Sequence, residues 1–194
     1  MKKVFEVIID ESSPFGGVNA ISLVDSPAIE IDWVALKKEV PLKLKEVDAD
    51  RQVLMGPALI PNKPIFRVDG EDEFYILFSK ETILRSSELF FMRGKQSETT
   101  LMHESPLMGN TVVESWIKED MEKDKSAVYG IDAPIGTWMI SMKIDDAKLY
   151  QEAMEGKLKG FSIEGYFLPE VREHLAKLSK GDIVEKIKEV LKDG

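Results

Sequence analysis

Apolar and polar residues alternate along much of the chain, so most of the pattern predicts strands. From Lys3 to Ile9 the alternation sets Phe5, Val7 and Ile9 against Val4, Glu6 and Ile8, as in a half-buried strand. Turn residues from Ser12 to Gly17 end it, and in Val18–Glu30 the run Asp25-Ser26-Pro27 marks a turn or the start of a helix. The lysine- and glutamate-rich stretch to Asp50 reads as a strand followed by a loop. Short β runs follow at Arg51–Ile60, Ile65–Val68 and Glu73–Phe78, punctuated by Pro57, Pro61, Pro64 and Gly70. Thr99–His103 and Thr111–Lys118 are two more expected strands. Gly136–Ile144 alternates Trp138, Ile140, Met142 and Ile144 against Thr137, Met139, Ser141 and Lys143, and Phe161, Ile163, Gly165 and Phe167 repeat that alternation.

Helical spacing is confined to a few places. Ser79 can cap a helix from Lys80 to about Arg93, which Gly94 stops, and Asp145 can cap a shorter one that ends at Glu155 before Gly156. Past Pro169, the positions Val171, Leu175, Leu178, Ile183, Ile187 and Leu191 recur at helical spacing, with Gly181 between the two sets. The charged run Lys118–Lys125 reads as a solvated loop or short helix. The expectation is a mainly β body over residues 1–168 and an amphipathic helical tail over residues 169–194, with one sizeable core.

Composition narrows the chemistry. The chain has 194 residues, no cysteine and two histidines, His103 and His174. That removes disulfides, thiolate zinc sites and cysteine nucleophiles, and neither histidine belongs to an HExxH pair. Nothing calls for a metal or cofactor. A net charge of −9 with no basic patch argues against nucleic acid as a partner, and 43% hydrophobic residues without a long apolar block argue against a membrane span. The alternating first ten residues are not those of a signal peptide, so the expected compartment is the cytoplasm.

A serine becomes a useful nucleophile only when a histidine can take its proton. Ser162 stands in a predicted strand between Gly160 and Gly165, where missing side chains allow close approach. His103 is expected at the end of a strand. For a third member, Glu114 shares a face with Val112 and Trp116, where an unpaired carboxylate would be unusual. Glu164 is the reserve, on the face of Ser162 and about 7 Å along the strand. Either could equally be an ion-pair partner, and the residues alone permit a serine hydrolase without demanding one.

Four segments resemble the XkdF-like group of tailed-phage serine proteases, related to prohead maturation proteases. They are Val18–Glu30; Met55–Pro61 with Ile65–Arg67 and Phe78–Ile83; His103 with Val112–Ile117; and Gly136–Met139 with Lys159–Gly165. The resemblance implies an α+β, mainly β fold, a small closed or partly open β-barrel with flanking helices of the assemblin and prohead-protease kind. It implies Ser162 as nucleophile and His103 as general base of a serine endopeptidase. It further implies scaffold and major capsid proteins, and the protease itself, as substrates within an assembling prohead in the host bacterial cytoplasm. The amphipathic tail would then tether the chain to scaffold or to a second copy, or fold back on its own body.

Two rival readings stand beside this one. The same fold could serve as a catalytically idle capsid-assembly module. Alternatively, an unrelated acidic binding domain could line a ligand groove with Trp33, Trp116 and Trp138.

Overall fold

A computed structural model describes residues 3–27, 44–48 and 50–170. In chain order the strands are β1 (Lys3–Ile8), β2 (Gly17–Val24), β3 (Lys45–Asp48), β4 (Val53–Leu59), β5 (Ile65–Asp69), β6 (Asp72–Leu77), β7 (Thr99–Leu101), β8 (Ser105–Leu107), β9 (Thr111–Ile117), β10 (Trp138–Lys143), β11 (Gly160–Tyr166) and β12 (Leu168–Glu170). The helices are α1 (Lys80–Met92), α2 (Lys125–Val128) and α3 (Ala147–Met154). The strands form three four-stranded sheets, ordered β12-β1-β6-β5, β3-β4-β10-β9 and β11-β2-β7-β8. No membrane-length apolar helix occurs among the described residues.

Of the closed or partly open barrel that the resemblance implies, no closed form is found among the described residues, where all three sheets are open. The β11 and β4 strands approach each other, but through side chains rather than a shared hydrogen-bond ladder. Phe161 lies against Gly56, where an added Cβ would stand only 3.2 Å from its ring. Glycine at position 56 therefore lets the inner face of β11 settle onto the β3-β4-β10-β9 sheet. Between these layers sits one core that includes Ile21, Leu23, Leu54, Ile83, Phe90, Trp138, Ile140 and Phe161, all 0–1% exposed. Full burial of such a side chain contributes roughly 1.5–3 kcal/mol.

Helix α1 follows its sequence signals. The Ser79 side chain accepts from the Thr82 N–H at the N-terminus, and Gly94 adopts a φ of 67° just past the end. Its buried Phe90 meets the Trp138 ring with centroids 5.5 Å apart. The cap of α3 is Asp146 rather than Asp145, one residue later than expected, because it is the Asp146 carboxylate that accepts from the N–H groups of Lys148 and Leu149.

Several other expectations change. Strand β2 fills the first part of Val18–Glu30 and pairs with β11 and, in parallel, with β7. Strand β7 ends at Leu101, and His103 lies in the turn beyond it. Lys118 opens the charged run but is 0% exposed, since it extends from β9 beneath the loop that returns to β10 and donates to the Ile131 carbonyl at 3.5 Å. Trp138 and Trp116 face opposite sides of one sheet: Trp138 belongs to the main core, whereas Trp116 packs with Met139 in a smaller outer cluster. They cannot share a groove. Pro169 and Glu170 belong to β12, which pairs with β1. The rest of the expected helical tail, residues 171–194, and Trp33 lie outside the described residues.

Candidate active site

The site is assembled across three neighbouring strands of the β11-β2-β7-β8 sheet. Ser162 on β11 is in register with Ser22 on β2, and Ser22 is in register with Thr100 on β7. Because directly opposed residues share a face, the three hydroxyl side chains stand side by side on the face away from Phe161, Ile21 and Leu23. Glu164 is two residues beyond Ser162 and projects from the same face. It is paired with Ala20, whose short side chain leaves room for the carboxylate to cross β2.

That crossing brings Glu164 to β7. Its Oε1 accepts a short hydrogen bond from the Thr100 hydroxyl and lies 3.1 Å from His103 Nδ1. A carboxylate can only accept, so a hydrogen bond here needs the proton on Nδ1, and in the neutral tautomer that makes it Nε2 is the acceptor. A register shift between Glu164 and Gly165 accompanies this aim.

His103 owes its place to an unusual turn. Met102 and His103 have φ values of 54° and 61°, the signs of a type I′ turn but without its usual asparagine or glycine. Three bonds hold the turn: Met102 N–H to the Leu23 carbonyl, His103 N–H to Ser22 Oγ and Glu104 N–H to the Leu101 carbonyl, each 3.0 Å. Thus β2 anchors the turn at two successive residues.

The two glycines flanking Ser162 serve packing. A Cβ on Gly165 would stand 2.2 Å from the Gly17 carbonyl oxygen, and one on Gly160 would stand 2.8 Å from the Pro27 ring. They let β11 lie close to β2 and the residues after it, which keeps Ser162 in register with Ser22. Ser162 itself is 6% exposed, while the His103 side chain is 42% exposed, so the constellation has one solvent-facing flank. Among the described residues the hydrogen bonds of His103 run to Ser22 and Glu164, and none runs to Ser162.

Glu114 lies on a different sheet, opposite Ser141. Its oxygens are 2.5 and 2.6 Å from Lys125 Nζ. Burial opposes ionisation there, but the bonded Lys125 ammonium, a hydrogen bond from Ser141 and the charge of Arg51 together outweigh it and hold the carboxyl below its ordinary value of 4.5. Of the two glutamates considered, the structure brings Glu164 to His103. Ser22 and Thr100 were not singled out from the sequence, where neither hydroxyl differs from those of other strand residues. Only the pairing order of β11, β2 and β7 distinguishes them.

Fold and constellation together define a mainly β protein that presents a serine, a histidine and a glutamate on one sheet. Residues 39–168 match the family described as "Putative phage serine protease XkdF", and the chain belongs to that family. The matched stretch contains Thr100, His103, Ser162 and Glu164, whereas Ser22 precedes it. Comparison with curated proteins and with solved structures gives no match.

Proposed function

We propose that the chain is a serine endopeptidase that cleaves scaffold and capsid proteins, and itself, during phage head maturation in the host cytoplasm. The observation that carries this reading is the Glu164–His103 Nδ1 contact on the sheet face that also bears Ser162. It supplies the second and third members of a triad in the order the chemistry requires. In this proposal Glu164 rather than Glu114 is the third member, because the Glu114 carboxylate is bonded to Lys125 on another sheet.

In this mechanism His103 Nε2 accepts the Ser162 hydroxyl proton as Oγ attacks the peptide carbonyl. Glu164 stabilises the resulting imidazolium at Nδ1. The imidazolium then protonates the departing amine, leaving an acyl-serine. Water attacks that ester with His103 again as base, and Ser162 is regenerated. His103 makes no hydrogen bond to Ser162 among the described residues, so Nε2 and the Ser162 Oγ must come together for the first step while Nδ1 stays on Glu164.

The competing reading is an idle capsid-assembly module of the same fold. It draws on the burial of Ser162 and on the absence of a Ser162–His103 hydrogen bond among the described residues. Incubating the protein with its phage's scaffold–capsid assemblies separates the two. The protease reading expects scaffold fragments with the native chain and none with Ser162→Ala; equal fragmentation by both sinks it, and intact scaffold with both favours the idle module.

A further inference from the structure

We infer that Ser22 is a positioning residue for His103, holding the histidine's backbone over the sheet face on which Ser162 stands. The inference rests on the protease reading and concerns a residue outside the family-matched stretch.

The turn that carries His103 has no glycine to make its geometry easy. Two consecutive non-glycine residues with positive φ cost roughly 1 kcal/mol or more each, so the conformation persists only where specific contacts secure it. Two of those contacts come from β2. The Leu23 carbonyl receives Met102, and the Ser22 hydroxyl receives His103 itself at 3.0 Å. Any strand can offer a backbone carbonyl, but the second contact needs a side chain with an acceptor at this position.

Ser22 is suited to that task. It is 0% exposed, so water cannot replace the bond without entering the sheet. Its hydroxyl has a carbonyl within donating reach, Thr100 O at 3.3 Å, which leaves its lone pairs for the His103 N–H. It also stands directly opposite Ser162, so the residue that fixes the histidine's backbone is the neighbour of the nucleophile. The ring is fixed independently through Nδ1 by Glu164, which Thr100 holds in turn. His103 is thus tied at backbone and ring by separate strands, β2 and β11.

The test uses a fluorophosphonate, which modifies an activated serine whatever the natural substrate. Native chain should label at Ser162. Ser22→Ala should label about tenfold to 100-fold more slowly, the scale expected when a reacting group is misplaced by about 1 Å. Ser22→Thr, which keeps the hydroxyl, should restore most of the rate. Ser22→Cys is close in volume, and its thiol accepts poorly, so it should behave like the alanine variant and serves if alanine fails to fold.

Amide hydrogen exchange supplies a readout that general loosening would not reproduce. In Ser22→Ala the His103 amide should exchange faster while Met102, bonded to the Leu23 carbonyl, keeps its protection. Equal labelling rates for native, alanine and cysteine chains, or unchanged His103 protection, would overturn the positioning role and leave the protease reading intact. Absence of Ser162 labelling in the native chain would overturn both.

Discussion

Two sheets of this molecule each place a serine near a glutamate, and of the two pairs only one also meets the histidine of the proposed site. On β11, Ser162 and Glu164 share a face, and Glu164 reaches Thr100 and His103 across β2. On the β3-β4-β10-β9 sheet, Ser141 stands opposite Glu114, but that face is roofed by the loop between β9 and β10. Ser141, Thr137 and Lys118 are all 0% exposed there, and the Thr137 hydroxyl has no hydrogen-bond partner among the described residues. Glu114 turns outward to Lys125 instead. On the proposed reading, a serine–carboxylate pair acquires function from its third neighbour and from access. The first pair has a histidine on a strained turn at an open flank; the second has a lysine at its rim and an apolar cover.

The sharpest way to break this comparison is to remove the histidine. His103→Ala should cut fluorophosphonate labelling of Ser162 by several orders of magnitude, up to about 10⁶-fold by analogy with other triads, with no comparable loss of thermal stability. Glu164→Gln comes next. The amide keeps the shape but can present its NH₂ to Nδ1 and so favour the wrong tautomer, for a fall in rate of about 10⁴-fold. Thr100→Val removes only the hydroxyl that steadies Glu164 and should slow labelling by roughly tenfold, on the scale of one lost hydrogen bond to a charged group.

Glu114→Gln gives the smallest effect and sharpens the contrast from the other side. Its labelling rate should stay within about twofold of native, while stability falls by no more than about 1 kcal/mol, since both partners of the ion pair are more than a third exposed. The pH dependence has a definite sign. The folded carboxyl of Glu114 titrates below 4.5, so its contribution is present above that value and lost as pH falls through the lower folded value. The stability gap between native and Glu114→Gln, measured by urea unfolding, should therefore close on acidification. A gap that persists below the folded value, or a large loss of labelling, would return Glu114 to the site.

How much of this was legible in the sequence varies with the kind of interaction. Strand β10 and helix α1 were readable because their burial follows from local period and caps, as with Ser79 and Gly94. Ser162 was placed in its strand for the same reason. The turn at His103 was not, because Met102-His103 carries none of the residues that usually signal positive φ; tertiary bonds from Ser22 and Leu23 impose it. The choice between Glu114 and Glu164 depended on which strands are neighbours. Alternation assigns a residue to a face but cannot say that β11 and β7 flank β2, so the contact between His103 and Glu164, 61 residues apart, was invisible. Lys118 misled for a related reason: a charged run reads as solvated, yet its first member lies under the loop that the run begins.

The central claim is that Ser162, and no other serine, is the activated nucleophile, and locating the fluorophosphonate adduct by peptide mass spectrometry tests it most directly. The account predicts one adduct, on Ser162, lost in His103→Ala; an adduct on Ser22 or Ser141, or labelling at Ser162 indifferent to His103, would contradict it.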